Sequence, residues 1–381
     1  MKILHTADWH LGKLIHGIYM TEDQGFLLAQ LIDHIERERP DLIIIAGDIY
    51  DRAIPPVEAI ELLNHFLNRV ALELNIPIIA ITGNHDSPKR LQFGNDFLQA
   101  KQCYLITELD PTFKPIILSD QFGEIHFYPI PYLEPAIVRH ILQDHSITDH
   151  DSALKAIVGK IAERYNPDVR NVLILHAFVT HSSSPEKQTS DSERPLSIGG
   201  SEYVSAEYLD IFDYVALGHL HQAHYIKDQR IQYAGSLLKY SQSEANHRKA
   251  ILEIELNQKG ELTIEKCFLT PKRDLRTVKG YLKEILQMPM SEDYCFVTLL
   301  DETPVLQPME QIRTVFPNAM HVERTPQNTP LFHKKHFDTP QKKREDDLTL
   351  FKGFYRTLLD KEPDAETLRI FADAIQDSDK I

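Results

Sequence analysis

Acid, amide and imidazole side chains recur in this sequence in five short groups, each directly after an apolar run. Asp8 and His10 follow KILHTA, Gly47 and Asp48 follow DLIIIA, and Gly83, Asn84, His85 and Asp86 follow IPIIAIT. His176 follows NVLIL, and Gly218, His219 and His221 follow DYVAL. Taken singly, each is an ordinary turn former or a satisfied polar side chain. Together they offer oxygen and imidazole donors without a thiolate, a set suited to Mn, Fe, Zn or Mg. Calcium asks for more oxygens and structural zinc for cysteine. Two such ions about 3.5 to 4 Å apart require a shared carboxylate. Asp48 is the candidate bridge, because its run lies between the others in sequence order.

The elements that must position these groups are legible as a pattern. Residues 2–7, 41–46, 76–82, 171–175 and 214–217 read as strands buried on both faces, alternating with helix-periodic stretches, as in an α/β domain. The donors then sit at the carboxyl ends of strands, where open α/β sheets place their crevices. Thr21 followed by Gln24 fits a capping box, and Leu28, Leu31, Ile32 and Ile35 give the helix behind it an apolar stripe until Pro40. A second helix is expected after Pro55 and Pro56, with Ile60, Leu63, Leu67, Val70 and Leu74 facing inward. Hairpin-like strands are expected over 223–227, 230–233 and 249–256, and residues 182–200 read as a long polar loop.

After Pro271 the composition shifts. Residues 274–286 read as a helix, 294–300 as a strand, 309–315 as a helix and 320–323 as a strand. The expected organisation is therefore a main α/β domain over 1–270, a small α/β domain over 271–330, and a linker with two terminal helices over 331–381. Leu350, Phe351, Phe354, Tyr355 and Leu358 form one apolar stripe of that pair, and Leu368, Phe371, Ala372 and Ile375 the other. Two such short helices bury little on their own, so they are expected to dock.

Size and charge bound what this chemistry can serve. The 381 residues, 42% of them apolar, suffice for a substantial core. Cys103, Cys267 and Cys295 are far apart and unpaired in pattern, which fits free thiols in a reducing compartment. No leader-like or bilayer-length apolar run is present, so a cytoplasmic location off the membrane is expected. With 56 acidic against 41 basic residues, the net charge is −15. Affinity for duplex DNA normally rests on Lys and Arg, so a DNA-cutting role calls for a partner that does much of the holding.

The order DxH, GD, GNHD, a lone strand-end His and GHxH resembles the calcineurin-like metallophosphoesterases. HTADWHLG, AGDIYDRAIPP, TGNHDSPKRL, DSERPLSIGG, ALGHLHQ, YAGSLLKYSQSE and PKRDLRTVKG further resemble, over nearly the whole chain, the SbcD family of double-strand-break-repair nucleases. The resemblance implies a four-layer α/β/β/α sandwich with a small capping domain and a C-terminal helix pair. It implies that Asp8, His10, Asp48 and His221 hold one metal and Asp48, Asn84, His176 and His219 the other. His85 would then donate a proton to the leaving oxygen, with Asp86 orienting it.

The resemblance also implies two divalent ions, manganese preferred and magnesium possible, exonuclease action on duplex ends and endonuclease action on single strands and hairpins. Its implied partner is an SbcC-type ATPase with coiled-coil arms, bound by the terminal helices, in a heterotetramer that includes a nuclease homodimer. No GxxxxGK(S/T) occurs in the chain, so ATP would act only through that partner. Two positions depart from the family: Arg52 stands where archaeal relatives carry a second catalytic histidine, and Leu237 where proline is common. A phosphoesterase for small substrates and a scaffold without activity are the rival readings.

Overall fold

The computed structural model describes residues 1–181, 191, 203–325, 351–352, 355–356, 362–364 and 366–371. The expected loop over 182–200, apart from Asp191, and the linker beyond Thr325 lie outside the described residues. The chain divides into two units, Met1–Thr325 and Pro326–Ile381.

Strands and helices alternate along the first unit. Its first half holds β1 (Lys2–Thr6), α1 (Thr21–Glu38), β2 (Leu42–Ala46), α2 (Val57–Leu67), β3 (Ile78–Ile81), β4 (Cys103–Ile106), β5 (Ile116–Asp120) and β6 (Gly123–Ile130). Next come α3 (Pro135–Leu142), α4 (His150–Ala162), β7 (Arg170–His176), β8 (Tyr214–Gly218), β9 (His224–Tyr225), β10 (Ile231–Tyr233), β11 (Ala250–Leu256) and β12 (Leu262–Phe268). Two six-stranded mixed sheets result, in the orders β12-β11-β1-β2-β3-β4 and β9-β10-β8-β7-β6-β5. Strands β1 to β4 run parallel in the first sheet, and β6, β7, β8 and β10 in the second.

The two-residue period of a strand sorts the side chains into layers. Ile3, Leu42, Ile44, Ile79 and Ile81 of the first sheet join Ile125, Phe127, Val172, Ile174, Tyr214 and Ala216 of the second in one buried layer. Their neighbours Leu4, Ile43, Ile45, Ile78 and Ala80 pack instead with Leu28, Leu31 and Ile35 of α1 and Leu63 and Phe66 of α2. Leu173, Leu175, Val215 and Leu217 pack with Leu154, Ile157 and Ile161 of α4. The result is helix, sheet, sheet, helix. Both faces of each central strand are buried, which is why those runs are continuously apolar.

Several expectations are corrected. Helix α1 begins at Thr21 with Met20 as its N-cap and no side-chain cap, so the Thr21/Gln24 capping box does not form. Ile60 is exposed on α2, where Ala59, Leu63 and Phe66 make the buried face, and the helix runs on as a π-helical turn, Asn68–Glu73. Residues 274–286 are not one helix but a strand, β13 (Leu275–Gly280), and a short helix, α5 (Leu282–Ile285). Leu275, Val278, Leu282 and Ile285 mimic a helical stripe, but Gly280 interrupts it and parallel pairing with β14 (Tyr294–Leu299) holds the first half extended. With α6 (Pro308–Arg313) and β15 (Ala319–Arg324) they form a three-stranded parallel sheet in the order β13-β14-β15.

That small sheet is anchored on the start of α1. The Tyr294 hydroxyl donates to Asp23 at 2.7 Å, Arg273 and Lys272 pair with Glu22, and Leu275, Tyr294, Phe296 and Met320 join the core beneath α1. In the second unit, the rings of Phe351 and Phe371 stack with centroids 3.8 Å apart.

Arg170, 2% exposed, ties the two main sheets together. It donates to both oxygens of Asp120, at 2.9 and 2.6 Å, to the carbonyl of Gly123, and across the layers to the carbonyls of Leu256 and Asn257. The Arg170 guanidinium holds the Asp120 carboxyl well below its ordinary range. A depressed carboxyl contributes stability above its unfolded pKa, and that stability is lost as pH falls through the folded value. Arg170→Met should therefore cost about 3–5 kcal/mol at pH 7 in urea denaturation, and Asp120→Asn less. The gap between the Asn variant and wild type should narrow steadily as pH falls below about 4.

Candidate metal centre

The carboxyl ends of β1, β2, β3, β7 and β8 meet along one edge of the sandwich and bring the five sequence groups together. His10 Nε2 lies 3.7 Å from Asp48 Oδ2 and 3.0 Å from His221 Nε2. His176 Nε2 lies 3.5 Å from Asp48 Oδ2 and 3.0 Å from Asn84 Oδ1, and its Nδ1 is 4.0 Å from Asp8 Oδ1. The His219 ring stands edge-on to that of His176, centroids 5.4 Å apart. Donor atoms of Asp8, His10 and His221 lie within 4.8 Å of one another, and so do those of Asp8, Asp48 and His176. Asp8 thus adjoins both groups, a closeness its place in the sequence does not announce.

Packing donors this tightly distorts the backbone. Asp8, His10 and Asp48 have φ of 53°, 47° and 49°, and His219 has φ of 107°, conformations that L residues adopt at a cost of about 1–3 kcal/mol each. Glycine makes the approach possible at two points. A Cβ on Gly47, whose φ is +92°, would fall 2.3 Å from His176 Nδ1, and one on Gly218 would fall 1.9 Å from the Ala46 carbonyl oxygen. The two sheets therefore touch at backbone distance just where the imidazoles converge.

The polar partners select the nitrogen that each histidine turns inward. His176 Nδ1 donates to the Ala46 carbonyl at 2.9 Å, leaving Nε2 toward Asp48 and Asn84. His221 Nδ1 pairs with Glu244 at 3.1 Å, leaving Nε2 toward His10. Glu244 is fully buried and also accepts from Lys249 Nζ at 2.5 Å, while that ammonium donates to the His221 carbonyl at 2.7 Å. Such carboxylate-to-imidazole bonds fix ring orientation and raise ligand basicity.

Burial pushes the Asp8 carboxyl up to about 7 and holds His10 and His219 well below the ordinary imidazole value. Burial also opposes the charges of Asp48 and His176, but their attraction outweighs it, holding Asp48 low and His176 up at about 9. Asp8 Oδ2 and His10 Nδ1 are buried without a hydrogen-bond partner. An orphaned carboxylate oxygen among imidazoles is costly unless a cation satisfies it, so this donor set fits divalent ions.

His85 and Asp86 depart from expectation. The Asp86 carboxylate does not hold His85; it accepts the backbone N–H of Ile49, Tyr50 and Gly83 at 3.1, 2.9 and 2.9 Å, bracing the β2 and β3 turns against each other. A short acid is readily satisfied by nearby turn amides. Burial raises Asp86 to about 7. His85 instead places Nδ1 2.7 Å from the Asp51 carbonyl oxygen and donates its backbone N–H to Asp48 Oδ1 at 2.9 Å. Arg52 is exposed.

Gln24 does not cap a helix; it belongs to this site. Its side-chain amide donates to the carbonyls of Trp9 and His10 at 3.2 and 2.7 Å, and its oxygen accepts the Gly12 N–H at 3.0 Å, splinting the strained loop that carries Asp8 and His10. Tyr240 adds a hydroxyl bond to the Trp9 carbonyl at 2.5 Å. Gln24→Leu keeps the volume and strands these buried groups. It should cost about 2–4 kcal/mol in chemical denaturation, well above the ordinary effect of a polar change in a first helical turn.

The calcineurin-like phosphoesterase model matches residues 1–223, and the model described as the type 5 capsule protein repressor C-terminal domain matches residues 271–357. The SbcD subunit of the SbcCD nuclease of Staphylococcus epidermidis is 36% identical over 369 residues, covering 95% of this chain and 94% of that protein. Among solved structures, a dimetal phosphatase from Danio rerio shares 13% identity at TM-score 0.39, over 70% of this chain and 96% of that one. The inner-membrane-complex anchor GAP50 of Plasmodium shares 12% at TM-score 0.38, over 87% and 99%; both likenesses are too loose to bear on the chemistry. By the match of its strand-end motifs and by this near full-length identity, the chain belongs to the calcineurin-like phosphoesterases, within the family of SbcD nuclease subunits.

Proposed function

We propose that this chain is a metal-dependent DNA nuclease, hydrolysing phosphodiesters at duplex ends and in single strands and hairpins as the cutting subunit of an SbcC–SbcD type complex. The observation that carries this is the pair of adjoining buried donor groups at the sheet edge, in a chain related over nearly its whole length to a nuclease subunit. In this reading Asp8, His10, Asp48 and His221 hold one ion and Asp48, Asn84, His176 and His219 the other, with manganese preferred over magnesium. When bound, two such ions neutralise the phosphodiester, orient it and make water acidic enough to attack near neutral pH.

The chain's own groups do the rest. Asp48 reaches both sides because its Oδ2 faces His10 and His176. His85, with Nδ1 anchored on the Asp51 carbonyl, presents Nε2 as the proton donor to the leaving oxygen. Glu244 and Lys249 hold His221, and Asp86 keeps the β2 and β3 turns at a fixed separation. Asp86 is thereby a bracing group rather than the orienter of His85.

The domain reading follows the same line. Residues 1–270 carry the nuclease, 271–330 cap its face, and 331–381 bind the ATPase partner. In support, the small sheet adjoins the loop after His10: the His16 ring lies 5.3 Å from the Phe296 ring and 5.7 Å from that of His321. Phe93 and Phe97, 91% and 84% exposed, offer apolar surface for a second copy in a heterotetramer. The net charge of −15 supports a partner that supplies much of the grip on DNA and all of the ATP dependence.

Purified chain with Mn2+ should cleave labelled hairpin DNA, lose that activity on chelation, and gain duplex-end degradation when an SbcC-type ATPase and ATP are added. Hydrolysis of small phosphate esters alone would overturn the DNA assignment. His85→Ala should lower cleavage by about 100-fold or more while Mn2+ binding by calorimetry stays unchanged. Glu244→Gln should weaken Mn2+ binding about 10–100-fold, since the neutral amide no longer polarises His221.

A further inference from the structure

Outside this site, α1 lies across the edge of the first sheet and sets a second donor cluster. His34 Nε2 is 2.5 Å from Glu253 Oε1, and the donor atoms of His34, Glu253 and Cys267 all lie within 4.8 Å of one another. The three residues come from α1, β11 and β12. Antiparallel pairing puts Cys267 opposite Ile251, so its side chain lies on the same face as Glu253, beneath the helix. All three are half-buried.

We infer that His34, Glu253 and Cys267 form a third metal site, selective for a borderline cation of the zinc class. Imidazole, carboxylate and thiolate are the three donor types that such ions accept, and tetrahedral bonds of about 2.0–2.3 Å put donors roughly 3.3–3.8 Å apart. The His34–Glu253 contact must therefore open by about 1 Å to admit the ion, while the three donors already lie inside 4.8 Å of one another. The fourth position is open to water or to Glu38, one turn beyond His34. Glu38 and Glu265 add negative charge, and with Glu253 they hold the Cys267 thiol, already raised by burial, at about 11, so a dication must displace its proton on binding.

Two cations oppose binding and have room to leave. Lys2 Nζ lies 3.5 Å from Glu253 and 2.9 Å from Glu38, and Arg37 contacts His34 Nδ1 at 2.8 Å; their side chains are 26% and 65% exposed. Once Arg37 swings out, Nδ1 can carry the ring proton and Nε2 is free to ligate. The bound ion would clip the edge strand β12 to α1, securing an edge that is otherwise polar and half-exposed.

Thiolate separates this site from the nuclease centre, which contains none. Cobalt titration of the full-length metal-free protein should give, beyond the ions of the nuclease centre, one further equivalent accompanied by a near-ultraviolet thiolate-to-cobalt band. Zinc should abolish the band, and it should be absent in Cys267→Ser and at least tenfold weaker in affinity in His34→Ala. Both variants should retain Mn2+-dependent DNA cleavage, which shows that they fold. No such band at millimolar cobalt, or a band that survives in Cys267→Ser, overturns the proposal.

Discussion

Everything at the functional edge follows from one constraint: several carboxylates and imidazoles must share a space from which water is largely excluded. Asp8, His10, Asp48, His176, His219 and His221 are all nearly or fully buried. Charges so placed are tolerable only when they neutralise one another or a bound cation. The rest of the fold serves that condition. Two parallel β segments aim their carboxyl ends at the same edge, glycines let the sheets touch there, and four residues accept positive φ.

Stability is therefore concentrated away from the site and used to hold it in place. The continuous apolar layer between the sheets, the helix layers outside it and the buried Arg170 network offset the strain of the donor loops. Gln24, Tyr240, Glu244 and Asp86 transmit that rigidity to the donors by hydrogen bonds to backbone or ring nitrogen. Each is a short link between a strong element and a strained loop, and such links keep the productive geometry within a fraction of an ångström.

Where residue pattern and fold part company, the cause is a distant contact. Gln24 fits a capping box by local spacing, but its amide is taken by a loop whose nearest point, Gly12, lies twelve residues earlier and which only tertiary packing brings near. Asp86 adjoins His85 in sequence, yet three turn amides offer it better partners. Residues 274–286 carry a helical apolar period, and parallel pairing with β14 still makes the first half a strand. Glu244 closes the stretch YAGSLLKYSQSE, but nothing in residue type or spacing ties it to His221, because an acid that holds a histidine 23 residues away looks like any surface acid until both are seen buried.

The sequence alone picked out acid, amide and imidazole side chains at strand ends, the strands that carry them and the continuous apolar runs that make those strands buried, because each of these is a local matter of residue type and period. It also carried the family, since motif order survives where contacts are invisible. Tertiary structure alone decided that Asp8 adjoins both donor groups, that Asp86 braces rather than orients, that the Asp51 carbonyl holds His85, and that Gln24 and Glu244 belong to the site at all. Those are contacts between residues brought together by sheet packing, and no local rule of spacing specifies which buried polar group will find which partner.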